Sequence, residues 1–294
     1  MSRPALARTQ RKAVIFGASG QLGTAVFEKL RTGGSYSKIL RPEWKEISPA
    51  LGTGSEKLIA AVFLRETGAF DVVVASGLTD PKAGSDDLLR SNFEFPKQLI
   101  EAVLADTKYK GTRILTLGSI HETIAELAAK NAYLASKAQL ADWISNFSAE
   151  APGRVLHLRL HTLYGGKPNP KMFLGQMIEA LRAHSEFKMS SGDQLREYMH
   201  VEDFALAIVA IFSQEWNFGP VLELSSGEAV RLCDLAGAVF EAVGVPELLK
   251  IGALTAVGGE NRDRKFKRTD VRFLPKTRPP VGNIIQWVRG EVVD

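Results

Sequence analysis

Cysteine is almost absent from this 294-residue sequence, in which Cys233 stands alone. One cysteine cannot form an intrachain disulfide or supply a cysteine metal cluster, and no metal site is predicted. Cys233 lies in an apolar stretch with helical periodicity. We therefore interpret it as a buried structural thiol rather than a reactive one.

Long hydrophobic runs are also missing. No stretch of about 18 apolar residues occurs, so no membrane-spanning helix is predicted. Residues 1–12 carry Arg3, Arg8, Arg11 and Lys12 without an apolar core, which argues against a signal peptide. We expect residues 1–11 to form a disordered arm and the protein to be cytoplasmic.

Charge of one sign does not dominate, because the net charge at pH 7 is only +4. No block of lysine and arginine is interleaved with aromatic residues, so nucleic acid is not an expected partner. Hydrophobic residues make up 45% and charged residues 24%, as in a soluble globular protein. The mild positive balance suits a small phosphorylated ligand.

The most informative stretch that is present is AVIFGASGQLG, residues 13–23. A short apolar run predicts a buried parallel strand, and a helical pattern follows the glycines. Gly17 permits a sharp turn, Gly20 lets a pyrophosphate approach the backbone, and Gly23 lets the helix pack closely on the sheet. Helix N-termini bind phosphate, so we predict a dinucleotide site here. A glycine turn without a ligand is the alternative.

The first half of the chain alternates strand and helix patterns. Strands are expected at 13–16, 38–40, 71–75, 113–117 and 154–160, with a short one near residue 47. Helices are expected at 21–32, 56–65, 86–104 and 122–147, the last split by an N-cap at Asn131. This alternation predicts an α/β fold built on a doubly wound parallel sheet.

The pattern changes after about residue 165. Helices are expected at 171–184, 202–213, 231–243 and 283–289, between strand-like pieces at 188–190 and 221–224. We therefore predict a dinucleotide-binding domain at 12–165 and a smaller mixed α/β lobe at 166–294, between which the chain can cross back.

Tyr133 and Lys137 lie four residues apart in a helical pattern and so share one face. Tyrosine titrates near pH 10, and a nearby ammonium is expected to lower its pKa. Ser119, at the end of the preceding strand, is placed to hydrogen-bond a carbonyl. Together these residues predict a proton relay in which Tyr133 protonates a carbonyl oxygen as hydride arrives at carbon. An ordinary surface pair on a helix is the alternative.

The chain resembles the short-chain dehydrogenase/reductase superfamily through GASGQLG at 17–23, Asn92, Ser119 and YLASK at 133–137. The second half is similar to the extended branch, which acts mostly on nucleotide sugars. The segments that carry this likeness are LRLHTLYGG at 158–166, SGDQLREYMHVEDFALAI at 191–208 and NRDRKFKRTD at 261–270. The resemblance implies a Rossmann-type fold, nicotinamide chemistry and a homodimer.

Site residues follow from the residues and from this resemblance. The expected catalytic residues are Ser119, Tyr133 and Lys137. The expected cofactor-binding residues are Gly17, Ser19, Gly20, Gln21, Leu22, Gly23, Arg41, Ala75, Ser76, Gly77, Tyr133 and Lys137. The expected substrate-binding residues are Ser119, His121, Thr162, Arg196 and Arg262. A solvated basic face is the alternative for Arg262.

The sequence departs from the branch in several places. The segment between Ser119 and Tyr133 is short, so a substrate loop is expected to be trimmed there. Thr162 replaces the usual asparagine. Ala75-Ser76-Gly77 stands where Asn-Ala-Ala is common. We interpret His121 and Glu122 as a solvent-facing polar pair, with assistance to proton transfer as the alternative.

Arg41 follows the second predicted strand, where an NAD enzyme is expected to have an acidic residue for the ribose. Arginine at this point accommodates a 2′-phosphate, so NADP(H) is predicted as the preferred cofactor, with NAD(H) still open. An ordinary surface arginine is the alternative.

The resemblance and Arg41 together favour NADPH-dependent reduction of a 4-keto-6-deoxy nucleotide sugar, linked to CDP or dTDP, in deoxysugar biosynthesis. A nucleotide-sugar epimerase or dehydratase that uses NAD is the second hypothesis. A non-catalytic NADP-binding protein is the third. For the homodimer we expect an apolar face on helices 86–104 and 122–147, formed by Leu99, Val103, Leu140 and Trp143.

Overall fold

The computed structural model describes residues 11–80, 82–255 and 274–293. They divide into two compact units. The first unit comprises the described residues up to Leu160 together with Ala205–Glu223. The second comprises His161–Phe204, the described residues from Leu224 to 255, and those from Pro275 onward. A division into functional lobes at residue 165 stays a prediction.

Eleven strands occur among the described residues. In chain order they are β1 (Lys12–Phe16), β2 (Lys38–Leu40), β3 (Phe70–Val74), β4 (Arg113–Ser119), β5 (Val155–Leu160), β6 (Thr162–Tyr164), β7 (Phe187–Met189), β8 (Leu195–His200), β9 (Val221–Leu224), β10 (Ala229–Arg231) and β11 (Leu249–Ile251).

Eleven α-helices lie between and after these strands in the described ranges. They are α1 (Gln21–Thr32), α2 (Trp44–Ile47), α3 (Ser55–Phe63), α4 (Ser85–Leu89), α5 (Phe95–Ala105), α6 (Ala125–Ala128), α7 (Ala132–Phe147), α8 (Phe173–Arg182), α9 (Val201–Phe212), α10 (Leu232–Val243) and α11 (Pro280–Val293). Short 3₁₀ helices include Ile120–Thr123, and a π-helical turn covers Arg90–Glu94.

The main sheet has six strands in the order β2-β1-β3-β4-β5-β9. The pairs β1–β2, β1–β3, β3–β4 and β4–β5 are all parallel. This confirms the predicted doubly wound α/β fold. The carboxyl ends of parallel strands meet at one edge of a sheet, where ligands of this fold class bind. The turn after β1, the residues after β3 and the end of β4 therefore lie at the same edge.

The strand expected near Ile47 is wrong, because residues Trp44–Ile47 form the short helix α2. Its first turn is closed by a capping box in which the backbone N–H of Glu43 donates to Glu46 Oε2 at 2.8 Å. This reciprocal cap satisfies amides that a strand at the same residues would leave unpaired. Glutamate at both cap positions was the sequence signal for the helix.

The single helix expected at 86–104 is instead α4, a π-helical turn and α5 in continuous succession. Pro96 lies at the start of α5 and has no N–H to donate to the preceding turn. The widened turn Arg90–Glu94 immediately precedes it, as expected where the helical ladder loses a donor. Asn92 lies within this widened turn and is fully buried.

Strand β9 was expected in the smaller lobe, but it forms the edge of the six-stranded sheet. Leu222 and Leu224 are buried while their neighbours in the strand are half-buried, the alternation of a strand with one covered face. Residues Ala205–Glu223 belong to the first unit as well. Most of α9, from Ala205 onward, therefore belongs to that unit.

The second unit has its own core and two small sheets, β10-β8-β6 and β11-β7. Its buried residues come from α8, α10 and α11 and include Met177, Ile178, Phe240 and Ile284. Cys233 packs at the edge of this core and is only partly buried, which corrects the expectation of a buried thiol. Burial raises the pKa of its thiol, so the unreactive neutral form is favoured.

The apolar face expected for dimerisation is largely wrong. Leu99 and Val103 on α5 and Leu140 on α7 are 0–1% exposed inside the first unit. They belong to the same core cluster as Phe16, because α5 and α7 cover the sheet with these residues facing inward. Only Trp143 is partly exposed, where it stacks on Phe147 with ring centroids 4.7 Å apart.

Asp71, at the amino edge of the main sheet, is 2% exposed and links β3 to β4 and to the residues just before β1 and β2. Arg113 on β4 donates to both of its oxygens at 2.9 Å, and Arg11 donates to Oδ1 at 2.6 Å. The hydroxyl of Tyr36 donates to Oδ2 at 2.8 Å. Arg11 was expected to belong to a disordered arm, but this ion pair anchors it to β3.

Asp71→Asn is expected to lower the free energy of unfolding by about 3–5 kcal/mol, because it removes the counter-charge of two largely buried guanidinium groups. Glu66→Gln is the control, since Glu66 and its partners Lys12 and Lys38 are more exposed. That change is expected to cost far less, because exposed ion pairs contribute little to stability. Urea unfolding of both variants measures the difference, and equal losses would contradict a structural role for Asp71.

Within the described ranges, no helix is long and apolar enough to cross a membrane. The same residues contain no group of three histidine, cysteine, aspartate or glutamate side chains placed to hold a metal ion.

Candidate functional site

The turn after β1 has no room for a side chain at two of its glycines. Gly17 has φ +73°, and a β-carbon there would lie 2.7 Å from the backbone nitrogen of Ser76. A β-carbon on Gly23 would lie 2.1 Å from the carbonyl oxygen of Gly17. Neither position accepts a side chain without moving backbone. The turn therefore packs directly on the chain after β3 and on the first turn of α1.

Gly20 differs from the other two glycines because a β-carbon there would meet one atom closely rather than overlap the backbone. A β-carbon there would meet only the carbonyl oxygen of Gly17, at 3.3 Å. Gly20 is the N-cap of α1 and provides no side-chain cap, and the first turn of that helix contains no acidic residue. An uncapped, uncharged helix N-terminus next to bare backbone is the arrangement that binds a pyrophosphate.

The residues after β3 place unsatisfied polar atoms at this edge. Ser76 Oγ and Asn92 Oδ1 are buried and have no hydrogen-bond partner among the described residues. The amide of Asn92 donates to the carbonyl of Leu78 at 3.0 Å and to Ser136 Oγ at 3.2 Å. Buried orphan acceptors and donors are rare in a finished core. Their presence beside the glycine turn fits a site that a polar ligand completes.

Gly77 brings the same edge next to the predicted catalytic helix. It has φ +156°, and a β-carbon there would lie 2.4 Å from Asn92 Oδ1 and 3.4 Å from Lys137 Nζ. The glycine turn, Ser76, Gly77 and Lys137 thus form a contiguous lining. These residues fit a nicotinamide dinucleotide. Its pyrophosphate would lie at Gly20 and its nicotinamide ribose near Lys137.

Helix α7 begins where the sequence predicted, because Asn131 Oδ1 accepts the backbone N–H of Leu134 at 3.2 Å. Tyr133 and Lys137 follow in its first and second turns, on one face. Lys137 is 7% exposed, and its Nζ donates to the carbonyl of Leu117 on β4 at 2.9 Å. This bond holds the ammonium against the end of the strand that carries Ser119.

The expected lowering of the Tyr133 pKa is wrong for this structure. Burial, and secondly the negative charge of Glu122, raise the pKa of Tyr133 to about 12. Burial also lowers the pKa of Lys137 to about 8, against an opposing effect of Glu122. The desolvation of the phenol outweighs any stabilisation of the phenolate by the Lys137 ammonium. At neutral pH the Tyr133 hydroxyl is therefore protonated and available as a donor.

Ser119 is the last residue of β4 and the N-cap of the 3₁₀ helix Ile120–Thr123. Its Oγ accepts the backbone N–H of His121 at 3.3 Å, and its own backbone N–H donates to Glu122 Oε2 at 3.0 Å. The Ser119 side chain also accepts the backbone N–H of Glu122, and this bond together with the one from the Ser119 N–H to Glu122 forms a capping box, the S-x-x-E pattern of residues 119–122. It fixes the direction in which the serine leaves the strand.

Glu122 corrects the sequence interpretation, because it is 4% exposed and does not face solvent. Besides Ser119, it accepts His157 Nε2 at 3.1 Å and Arg159 Nε at 2.8 Å. Burial alone raises the pKa of Glu122, but these hydrogen bonds and His157 more than offset it, so the pKa lies below its ordinary value. The capping-box spacing was the available signal that the glutamate turns inward. His121 is partly exposed.

A family model for the NAD dependent epimerase/dehydratase family matches residues 13–219, more than half of the chain. The matched range contains the glycine turn, Ser119, Tyr133 and Lys137. The chain belongs to this family. It is therefore an NAD(P)-dependent enzyme of the short-chain dehydrogenase/reductase superfamily.

Solved structures with the same fold cover nearly all of this family member. MoeE5 in complex with UDP-glucose and NAD is 18% identical, with a TM-score of 0.69 over 96% of this chain and 99% of that one. RMD from Pseudomonas aeruginosa complexed with NADPH is 16% identical, with a TM-score of 0.74 over 97% of each chain. UDP-glucuronic acid 4-epimerase from Bacillus cereus, in complex with UDP-glucuronic acid and NAD, is 14% identical, with a TM-score of 0.75 over 96% and 99%.

The epimerase/dehydratase fold here includes a cleft of about 600 Å³ beside the glycine turn. Arg41 lines it just after β2, with its guanidinium over the ring of Phe27 at 4.2 Å. Trp44 and Lys45 also line the cleft and were not anticipated from the sequence. The next carboxylate along the chain, Glu43, pairs with Lys45 at 2.7 Å. No acidic residue thus stands at the end of β2 itself.

Two further predicted substrate residues, Thr162 and Arg196, lie in the second unit. Thr162 on β6 pairs in register with Tyr198 on β8. Arg196 lies two residues before Tyr198 on the same strand, so the pleat places Thr162 and Arg196 on one sheet face. Arg196 is partly exposed, and its Nη1 donates to the carbonyl of Leu195 at 3.1 Å. Arg262 and the segment 261–270 lie outside the described residues.

Proposed function

We propose that this enzyme uses NADPH to reduce the 4-keto group of a 4-keto-6-deoxy nucleotide sugar linked to CDP or dTDP. The position of Arg41 is the observation that favours net reduction over epimerisation. This arginine lies just after β2, in the cleft beside the glycine turn. Arginine at that point accommodates a 2′-phosphate, whereas an acidic residue binds an unsubstituted ribose. A phosphate-selective site favours net reduction, because cells keep the NADP pool largely reduced.

The nucleotide-sugar part of the proposal rests on the family and on the second unit. The family model describes epimerases and dehydratases, and the structures named above include complexes with UDP-glucose and UDP-glucuronic acid. Arg196 and Thr162 share a sheet face in the unit where the sequence resembles the sugar-binding segments of the extended branch. Arginine suits a diphosphate because its planar fork donates paired hydrogen bonds.

The chain's own residues have separate tasks in this reaction. When bound, the reduced nicotinamide supplies the hydride to the keto carbon. Ser119 Oγ donates a hydrogen bond to the keto oxygen and orients it. Tyr133 Oη gives its proton to that oxygen as the negative charge develops, which yields the alcohol. Lys137, held by Leu117, supplies positive charge next to the resulting phenolate.

The reaction is tested by following the absorbance of NADPH with 4-keto-6-deoxy sugars carried by CDP, dTDP, UDP or GDP. We expect one NADPH to be oxidised per keto sugar consumed, fastest with the CDP or dTDP compound. We also expect the purified protein to release little nicotinamide on denaturation. Stoichiometric NAD in the purified protein, with sugar interconversion and no net loss of NADPH, would refute reduction.

Arg41→Ala is expected to weaken NADPH binding by about 1.5–3 kcal/mol, because a charge-assisted hydrogen bond to the 2′-phosphate is lost. NADH binding is expected to change little, since NADH has no such phosphate. Isothermal calorimetry with both cofactors measures the difference. Arg31→Ala removes the same charge from an exposed position on α1 and is the control. Equal weakening of NADPH and NADH in Arg41→Ala would assign the residue a merely structural role.

A nucleotide-sugar epimerase is the second candidate, favoured by the family description and by the 4-epimerase with a TM-score of 0.75. An epimerase returns its hydride to the same sugar, so it benefits from retaining its nicotinamide. The cofactor-release measurement above separates the two candidates.

We also infer a homodimer active in deoxysugar biosynthesis, as the resemblance implies, and a cytoplasmic location, as the composition suggests. The partly exposed pair of Trp143 and Phe147 on α7 supports an interface at this helix.

A further inference from the structure

A buried polar cluster lies directly behind Ser119, and the reaction proposed above does not use it. It consists of Glu122 on the 3₁₀ helix, Thr116 on β4, and His157 and Arg159 on β5. His157 Nδ1 is 2.8 Å from Thr116 Oγ1, and its Nε2 is 3.1 Å from Glu122 Oε1. The side chains of Glu122 and His157 are both 0% exposed.

Glu122 does not reach a substrate from the surface, because its side chain is 0% exposed and both of its oxygens accept hydrogen bonds inside the protein. Oε1 accepts from His157 and Arg159, and Oε2 accepts the backbone N–H of Ser119. A fully buried carboxylate is costly unless its partners compensate for lost hydration. Any contribution to the reaction must therefore pass through the residues that it holds or whose charge it influences.

Gly118 shows that the strand is built around this cluster. A β-carbon at Gly118 would lie 2.2 Å from His157 Nε2 and 2.6 Å from Glu122 Oε2. The residue before Ser119 must therefore be glycine for the glutamate to reach the strand. The carbonyl of Leu117, one residue earlier, accepts Lys137 Nζ at 2.9 Å. Three successive residues of β4 thus link Glu122, Ser119 and Lys137.

The charges around Glu122 come from two packed elements. From β5, Arg159 contributes a positive charge with its side chain 22% exposed, while burial lowers the pKa of His157 and favours its neutral form. From α7 come Lys137 and the Tyr133 hydroxyl, and both respond to the charge of Glu122. His121 follows on the same 3₁₀ helix. A single carboxylate thus faces a neutral imidazole, one guanidinium and the two predicted proton-relay groups.

We propose that Glu122 is a positioning residue that holds the Ser119 backbone at the strand end and places a buried negative charge behind the strand segment that holds Lys137. The proposal rests on the proposed reduction in one respect: that reaction needs Tyr133 as a proton donor. A negative charge disfavours the phenolate and favours the ammonium, so its effect on both groups has the same sign. The buried charge therefore favours protonated Lys137 and adds to the effect of burial on Tyr133.

Glu122→Gln keeps the side-chain volume and removes the charge. We expect the pKa of Lys137 to fall by about one pH unit, since a nearby stabilising charge is lost. Titration of isotope-labelled lysine Cε resonances by NMR measures this without substrate or cofactor, and Lys137→Met assigns the resonance. Glu66→Gln, which removes a carboxylate at the opposite edge of the sheet, is the matched control and is expected to leave Lys137 unchanged. An unchanged Lys137 titration in folded Glu122→Gln would overturn the proposal.

Arg159→Gln gives the opposite test and serves if Glu122→Gln fails to fold. Removing the guanidinium leaves the charge of Glu122 less balanced, so the pKa of Lys137 is expected to rise. A fall, or no movement, would contradict the electrostatic role.

Kinetics separate this inference from the reaction itself. With the best keto sugar, the alkaline limb of the kcat profile is expected to move to lower pH in Glu122→Gln, whereas a loss of fold alone lowers kcat at every pH. A shifted Lys137 titration with no reduction of any keto sugar would reject the reaction and retain the role of Glu122. If Glu122→Gln reduced a keto sugar while the Lys137 titration and the alkaline limb of kcat stayed in place, the reaction would be retained and the role of Glu122 rejected.

Discussion

Tyr133→Phe is expected to lower kcat by about 10²–10⁴-fold while leaving the Kd for NADPH unchanged, because general acid catalysis contributes a factor of that size. Phenylalanine keeps the half-buried ring in the first turn of α7 and removes only the hydroxyl. With a pKa raised to about 12, this hydroxyl is protonated throughout the neutral range and can act as the donor. Steady-state kinetics and cofactor titration measure the two quantities separately.

Tyr109→Phe is the matched control for this change. Its hydroxyl donates to the carbonyl of Glu66 at 3.1 Å in the core of the first unit, where β3 begins. The same atom is removed there, but kcat is expected to stay within about threefold of the wild type, since no proton transfer is lost. If Tyr133→Phe behaved like Tyr109→Phe, Tyr133 would have no part in the proton transfer.

Lys137→Met is expected to remove turnover and weaken cofactor binding, because the ammonium is assigned both the phenolate and the nicotinamide ribose. The effect of Lys137→Met on stability depends on pH, and below pH 8 the substitution is expected to stabilise the fold. The pKa of Lys137 is about 8 when folded and 10.5 in the unperturbed state. Burial of the charged form therefore costs the wild-type protein about 3 kcal/mol below pH 8, and this cost is absent from the methionine variant.

The pH dependence follows from proton binding in the two states. Between pH 8 and 10.5 the unfolded chain binds more protons at Lys137 than the folded protein does, so wild-type stability rises with pH in that range. The variant lacks this rise. Urea unfolding at pH 7 and pH 10 is therefore expected to show the variant losing about 3 kcal/mol relative to the wild type. A constant difference between the two proteins would mean that Lys137 is not desolvated in the folded state.

Local chemistry made several elements readable from the sequence. The strand and turn at 13–23 were predicted because Gly17 and Gly23 permit contacts that no side chain allows. The break at Asn131 was predicted because an asparagine at an N-cap accepts a backbone N–H within its own turn. The shared face of Tyr133 and Lys137 follows from helix periodicity alone. Each of these depends on residues within a few positions of one another.

Helix α2 and the inward turn of Glu122 were also encoded locally, although the predictions missed them. Both depend on capping boxes, at Glu43 and Glu46 and at Ser119 and Glu122. Their spacing is visible in the sequence, but a short polar stretch between strands equally suits a loop. The choice depends on whether apolar neighbours such as Ile47 find a core to enter, and Ile47 is 1% exposed.

Only the tertiary structure decided which apolar residues are covered and which charges share a buried cluster. Leu99 and Leu140 belong to amphipathic helices whose periodicity is the same whether they face a core or a second subunit. Glu122, His157 and Arg159 meet because β4 and β5 are adjacent in register, an arrangement that brings together residues far apart in the chain. The pKa of Tyr133 follows from burial and from the position of Glu122 in this cluster.

By itself the sequence determined the fold class, the glycine turn and the helical pairing of Tyr133 with Lys137, because these depend on backbone sterics and periodicity. Desolvation and long-range charge depend on three-dimensional packing, so the protonation state of the site could be decided only by the folded protein.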